Sequence, residues 1–420
     1  MNILYIDHYA GSMSMGMEFR PFYMAREWVK RGHRVRILAG SYSHLRQKNP
    51  FIQKSPELQT IDGIEFLWMR TRQYYGNGAA RALSMADFCT KIYWNRKRIV
   101  DEFHPDLIIT SSTYPMDTWP AQSMRKLCPQ TLLIHEAHDL WPQTLIEIGG
   151  ISESNPVIRW IGKAEKSAFY RSDGIVTVLS DVKKYVSEKN YPVQDKMCWI
   201  SNGISTDDWQ NPEPLTAKLR RTFQDLRKTG SFLVGYLGGH ALSNALDTLL
   251  DTASLLRENA RFHFVLVGDG VEKSRLEQRV AKEGLRNVTM LASVPKRMVP
   301  SVLQKMDCLY LGLREIPLYR YGVSMNKLYD YMMAEKPIIY GASAPVDEVQ
   351  LAQCGYSVAP GSPKAIEEAL LHIAEEDPMR LRQLGENGRR WVLQNRSYQV
   401  LAEQFLQFVE AIKEKKNGIH

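Results

Sequence analysis

The chain has 420 residues, 44% of them hydrophobic and 24% charged. That length exceeds one ordinary core and points to two domains of about 150–200 residues each, and the composition excludes disordered and fibrous classes. The formal net charge of +8 suits an anionic partner, while the absence of any nucleic-acid-binding motif argues against nucleic acid as that partner.

The first half alternates short apolar runs with helical patterns, the signature of a parallel sheet flanked by helices. Residues 3–6, 34–39, 107–110, 131–134 and 174–178 read as strands. Between the first two, Arg20 to Lys30 has helical apolar spacing, and Gly32 follows where a helix end favours a left-handed backbone. Residues 203–230, with Asn211-Pro212-Glu213-Pro214, read as the linker into a second series. There the strand candidates are 232–237, 262–267, 288–291, 308–311, 337–340 and 356–358, separated by helical stretches such as 246–258, 273–282 and 325–334. Beyond Pro363 the pattern is helical, and Leu401, Phe405, Phe408, Val409 and Ile412 give the last helix an apolar stripe that must dock.

No stretch approaches the roughly 18 apolar residues of a membrane span, and no basic leader precedes the strand-like Asn2-Ile3-Leu4-Tyr5-Ile6. Cys89, Cys128, Cys198, Cys308 and Cys354 are odd in number and scattered, which suggests neither a disulfide framework nor a CxxC metal or redox site. A reducing cytoplasm is the expected location. Arg70, Arg72, Arg81 and the segment 91–98, interleaved with Tyr74, Tyr75, Tyr93 and Trp94, combine basic and aromatic side chains. Such a mixture suits an anionic membrane surface, or is simply a solvated basic face.

Open parallel sheets bind ligands at the carboxyl ends of their strands, so two such domains facing one another would place a site in the cleft between them. The first βα loop, His8 to Phe19, carries Gly11 and Gly16 ahead of a helix, an arrangement able to meet a phosphate or a sugar hydroxyl, or only a surface loop. Glu136, His138 and Asp139 follow the strand at 131–134 and are closed off by Trp141-Pro142, where a parallel-sheet enzyme keeps polar groups. The plainer alternative is a capping Asp139 with a half-buried His138. Ser201-Asn202-Gly203 ends the first domain in a turn. Gly238-Gly239-His240 ends the first strand of the second series, where glycines let phosphates approach the backbone, and Gly268-Asp269-Gly270 ends the next. In Tyr321 to Ala334, Ser324 reads as an N-cap, with Asn326 and Lys327 in the first turn and Asp330 one turn on. One helix could then offer charge neutralisation for a diphosphate and a carboxylate for a ribose, or a surface Lys–Asp pair.

In these motifs, taken in order, the chain resembles glycosyltransferase family 4, and within it the branch that builds O-antigen, capsule and exopolysaccharide chains. The resemblance runs from the Gly16 loop and Arg31-Gly32-His33 through His138-Asp139-Leu140-Trp141-Pro142, Ser201-Asn202-Gly203-Ile204, Gly268-Asp269-Gly270 and residues 327–332 to Lys336-Pro337-Ile338-Ile339. It implies an α/β GT-B fold of two facing Rossmann-like doubly wound domains: residues 1–204 on the acceptor side, 205–395 for the nucleotide sugar, and 396–420 as a helix crossing back to the first domain. It also implies retaining transfer without a metal or other cofactor. The donor would be a nucleotide diphosphate sugar, UDP-linked, and the acceptor a polyprenyl-linked or growing glycan. His138, Asp139 and Glu136 would be catalytic; Gly16, Asn202, Gly238, Gly239, His240, Ser324, Asn326, Lys327 and Asp330 would bind the donor. Asp330 takes the place of the second carboxylate of the family's E-x7-E motif, while Gly322 stands where the first would be. His240 and Asn244 lie in the loop that in many members carries an Arg-x5-Lys pair. A nucleotide-sugar epimerase and a catalytically silent nucleotide-sugar-binding partner are the competing readings. The missing glycine fingerprint disfavours a dinucleotide dehydrogenase.

Overall fold

A computed structural model describes residues 1–16, 20–76 and 78–418 of the chain. The chain divides into two compact units. Unit 1 comprises Met1–Asn202, Tyr321–Ser324 and Tyr398–His420; unit 2 comprises Gly203–Arg320 and Met325–Ser397.

Unit 1 is built on eight strands: β1 (Asn2–Ile6), β2 (Arg34–Gly40), β3 (Glu57–Ile61), β4 (Ile64–Met69), β5 (Leu107–Thr110), β6 (Leu132–Ala137), β7 (Gly174–Thr177) and β8 (Met197–Trp199). Their order is β3-β4-β2-β1-β5-β6-β7-β8, parallel except for the β3–β4 pair. The central strands β1 and β5 are nearly continuous apolar runs, as in a parallel sheet covered on both faces. The β3–β4 hairpin is an element the strand reading omits. Its signal was present: Asp62-Gly63 stands between two apolar residues, and both turn residues have positive φ, 50° and 78°, as a two-residue turn requires. β6 runs three residues past the expected strand end, to Ala137, so Glu136 lies inside the sheet. Residues 70–98, read only as a basic aromatic segment, contain most of a 25-residue helix, Ala79–Phe103.

The helix Arg20–Lys30 buries Phe22 and Trp28, and Gly32 beyond it sits at φ 83°, with His33 N–H bonded back to the Trp28 carbonyl. The last helix, Tyr398–Asn417, packs on this one. Trp28 meets the Phe405 ring at 5.1 Å and donates its indole N–H to the Ala402 carbonyl at 3.1 Å. Leu401, Phe405 and Val409 are fully buried in the same core as β1 and β2.

Tyr321–Ser324 also belongs to unit 1. The Tyr321 carbonyl accepts from Asp181 N–H at 2.9 Å, the Tyr321 ring packs 5.1 Å from Tyr185, and Ser324 Oγ accepts from Asn202 N–H at 3.2 Å. Gly322 has φ 109°, and a Cβ there would lie 2.4 Å from Ser180 N. A carboxylate side chain at this position would collide with backbone, which accounts physically for the glycine.

Unit 2 contains β9 (Phe232–Leu237), β10 (Phe262–Val267), β11 (Val288–Leu291), β12 (Cys308–Gly312), β13 (Ile338–Gly341) and β14 (Gly355–Ser357). The sheet is parallel throughout, in the order β11-β10-β9-β12-β13-β14, which is the doubly wound 3-2-1-4-5-6 arrangement. The expected linker is folded into this unit as two helices, Asp207–Gln210 and Ala217–Lys228. In both sheets the strand order reverses beside the first strand, between β1 and β5 and between β9 and β12.

Candidate active site

In unit 1 the reversal brings the ends of β1, β5 and β6 together. Ile6 is in register with Thr110 and Thr110 with His135, so Ser111, just past the end of β5, stands beside Glu136 on β6. Glu136 has no exposed surface. Its Oε1 accepts from Arg20 Nε and Nη2 at 3.1 and 2.7 Å, and its Oε2 from Tyr5 Oη at 2.5 Å and Ser111 Oγ at 2.6 Å. His138 Nε2 lies 3.2 Å from the same Oε2 and 2.7 Å from Ser111 Oγ. Arg20 also donates to the Ser201 and Ile200 carbonyls at 2.5 and 3.0 Å, so the buried pair has its remaining hydrogen-bonding positions filled.

This network fixes protonation. Burial alone would raise the Glu136 pKa, but the Arg20 charge and the bonds from His138 and Ser111 hold it well below the usual carboxylate value. Burial likewise opposes a charged His138, yet the hydrogen bond and charge of Glu136 outweigh it and raise the imidazole pKa. A proton on Nε2 satisfies the carboxylate and leaves Nδ1, on a side chain 14% exposed, as the ring atom able to meet an outside hydroxyl.

Two of the expected catalytic residues have their carboxylates engaged within the protein. Glu136 sits within β6 rather than beyond it, with no exposed surface in this structure, and its carboxylate is bonded to His138. Asp139 is consumed locally: its Oδ1 accepts from Leu140 N–H at 2.8 Å and Thr144 Oγ at 2.5 Å, and its Oδ2 from the Trp141 indole at 3.1 Å. It ties the turn ahead of the next helix together without capping that helix, whose N-cap is Pro142 with no side-chain cap bond. Gly16 adopts φ 68° beside the Gln47 side chain; Met17, Glu18 and Phe19, which complete that expected loop, lie outside the described residues.

In unit 2 the site is assembled at the end of β9. Gly239 carbonyl accepts from Tyr236 Oη at 2.7 Å and from Asn244 Nδ2 at 2.8 Å. Lys327 Nζ donates to Asn244 Oδ1 and, at 3.2 Å, to Tyr236 Oη, and lies 5.1 Å from the centre of the Tyr236 ring. With its carbonyl tied back, Gly239 leaves its N–H without a partner among the described residues. Burial pushes the Lys327 pKa down to about 8, the behaviour of a cation waiting for an anion. Gly238 follows β9 under this ammonium, 3.4 Å from the Lys327 side chain at the point where a Cβ would stand.

The neighbouring strand end supports the loop by close backbone contact. A Cβ on Gly268 would lie 1.9 Å from the Gly238 carbonyl oxygen, and one on Gly270 2.4 Å from that of His240, so both positions demand glycine. His240 is fully buried with neither ring nitrogen hydrogen-bonded, and its pKa is lowered by burial and by Lys273.

The helix that carries Lys327 runs over Asn326–Met333, with Met325 as its N-cap. Ser324 is therefore not the cap, because its hydroxyl accepts from Asn202 N–H in unit 1. Asn326 is exposed at the first helical position. Asp330 is nearly buried and bound through both oxygens to Lys296 Nζ, at 2.7 and 2.6 Å, with the Trp209 indole 3.4 Å away. The supporting residues Arg20, Tyr5, Ser111 and Lys296 escaped the sequence reading. Only Ser111 had a signal, in the Ser111-Ser112-Thr113 run that directly follows β5.

The model of the group described as Glycosyltransferase Family 4 matches residues 15–208, and that of Glycosyl transferases group 1 matches residues 231–376. The chain is a glycosyltransferase of the GT-B fold. It is 22% identical over 354 residues to the glycosyltransferase MJ1178 of Methanocaldococcus jannaschii, covering 84% of this chain and 82% of that protein. Among solved structures it is similar to HepE of Anabaena in complex with UDP, at 14% identity and a TM-score of 0.68, covering 98% and 100% of the two chains. It is also similar to WaaG, a glycosyltransferase involved in lipopolysaccharide biosynthesis, at 16% identity and 0.64, covering 96% and 98%. The first family match spans the Ser111–Glu136–His138 network of this glycosyltransferase, and the second spans Gly238, Lys327 and Asp330.

Proposed function

We propose that this glycosyltransferase moves a hexosyl or N-acetylhexosaminyl unit, with retention of configuration and without a metal, from a UDP-linked donor to a lipid-linked or growing surface glycan. The observation that carries the reading is the half-buried Lys327 ammonium poised over Gly238 and the free Gly239 N–H. A departing nucleoside diphosphate gains negative charge in the transition state, and preset donors there lower the barrier most. Asp330, aimed by Lys296, would hold the ribose, and His240 would meet the donor beside the glycine pair. In unit 1, His138 Nδ1 would receive or orient a sugar hydroxyl, with Asn202, Ser324 and Gly16 shaping the surroundings. The UDP bound to HepE and the lipopolysaccharide pathway of WaaG support the donor and acceptor classes.

Among the described residues no helix is long and apolar enough to cross a membrane. Tyr75, Leu83 and Trp94, 89%, 54% and 75% exposed, stand among Arg72, Lys97 and Arg98, and would rest on the anionic inner membrane face from the cytoplasm, next to a polyprenyl-linked acceptor. Binding to anionic vesicles that weakens with salt and with Trp94→Ala supports this contact; salt-independent binding overturns it.

The central test is a melting-temperature screen of nucleotide sugars, followed by turnover of any stabilising donor with a polyprenyl-linked acceptor and an NMR assignment of the product anomer. A UDP sugar should stabilise the wild type and be turned over, with both effects lost in Lys327→Ala. Unchanged turnover in Lys327→Ala would overturn the donor site, and conversion of the donor without an acceptor would favour an epimerase.

A further inference from the structure

A cavity lies in unit 2 beside the last turn of the Asn326–Met333 helix, whose first turn carries Lys327. The six steps from Lys327 to Met333 rise about 9 Å along the helix, and Met333 lines this cavity, of about 1210 Å³. The cavity exists because of how its outer wall is attached. Pro212 and Pro214 keep the chain extended, pinned where Glu213 N–H meets the Arg297 carbonyl and Ser301 Oγ the Glu213 carbonyl. The helix Ala217–Lys228 that follows buries only Phe223 and is strapped down at its end by Arg227, bidentate to Asp307 at 2.7 and 2.9 Å. Space remains beneath it.

The walls are of two kinds. Trp209, Leu215, Phe223, Pro300 and Met333 supply an apolar floor; Arg220, Arg227, Lys228, Lys305 and Arg389 supply the rim, and no carboxylate is among the lining residues. Three rim cations are neutralised from outside: Arg227 by Asp307, Lys228 by Asp225 and Arg389 by Glu335. The other two are not. Among the described residues the Arg220 guanidinium reaches only the Leu215 carbonyl, at 3.4 Å, and Lys305 Nζ makes no ion pair. Two uncompensated cations above an apolar floor fit a ligand of opposite charge with an apolar body.

We propose that this cavity binds a small amphipathic anion, one or two rings or a short chain bearing a single acidic group, with its body on Trp209 and Phe223 and its acid between Arg220 and Lys305. The proposal does not depend on the glycosyltransferase chemistry and is read out without turnover. The probe is 1-anilino-8-naphthalenesulfonate, titrated by fluorescence into the full chain in parallel with its uncharged relative N-phenyl-1-naphthylamine. Saturable binding of the anionic dye is expected, at least tenfold tighter than that of the neutral one, weakening at least tenfold in Arg220→Glu/Lys305→Glu and persisting in saturating UDP. Both substituted residues are exposed, so the melting curve should be unchanged; if the double variant misfolds, Arg220→Gln and Lys305→Gln singly should each weaken the dye about threefold. Equal binding of the neutral dye, undiminished binding in these variants, or displacement by UDP, which would put the dye at Lys327, overturns the proposal.

Discussion

The ends of β1, β5 and β6 in unit 1 and the end of β9 in unit 2 occupy the same place in two sheets of related topology, yet they are built in opposite ways. The first is closed: Arg20, Tyr5, Ser111, Glu136 and His138 satisfy one another and leave one imidazole nitrogen for outside chemistry. The second is open: among the described residues Lys327 has only neutral partners, Tyr236 and Asn244, and the Gly239 N–H beside it has none. A closed network fixes the charge state of one group, whereas an unpaired cation stores electrostatic energy for a ligand that brings the missing charge. A buried polar site can be pre-organised either way, and the choice shows in which groups lack partners.

The contrast can be broken by substitution. The largest effect expected is from Arg20→Met, which leaves the Glu136 carboxylate buried without its cation and should cost about 3–5 kcal/mol in a denaturant titration. Lys327→Ala should do the reverse, lowering turnover about 10²-fold while leaving the melting temperature equal or higher, because a buried ammonium with a lowered pKa is a burden in the free protein. A marked loss of stability in Lys327→Ala would show that its role is structural. Gly268→Ala forces a methyl into the Gly238 carbonyl and should cost about 1–3 kcal/mol, together with weaker donor binding by calorimetry.

Two smaller effects sharpen the electrostatics. With its pKa near 8 in the free protein, Lys327 is mostly charged at neutral pH and takes up a proton on binding a diphosphate only near and above pH 8. Affinity should therefore be full below pH 8 and fall above it, by at most about tenfold per pH unit until the bound pKa is passed; a flat profile from pH 7 to 9.5 would place the diphosphate elsewhere. His138 is raised above its ordinary value by Glu136, so its stabilising contribution is complete below the unfolded value of about 6.5 and is lost as pH rises through the folded one. Glu136→Gln should lower the His138 pKa in an NMR titration and flatten that part of the stability profile.

Much of this arrangement could be read along the chain. Lys327, the Gly238–Gly239 pair, His138 and the alternation of strands with helices all announce themselves through local pattern, since strand periodicity and glycines at strand ends are properties of neighbours in sequence. The supporting groups do not. Arg20 reaches Glu136 across 116 residues and Lys296 reaches Asp330 across 34, and neither side chain differs in its local setting from a surface cation. The Glu136 and Asp139 roles turned on where β6 stops and which backbone donors lie nearby.

The amino-acid order by itself determined that two α/β units would form and that glycines and a lysine would mark strand ends and a helix start, because short-range sterics and hydrophobic periodicity act over a few residues. Only the tertiary structure decided which charges are paired. Burial and partner distance set the pKa of each ionisable group, and both are fixed by contacts between segments far apart in the chain.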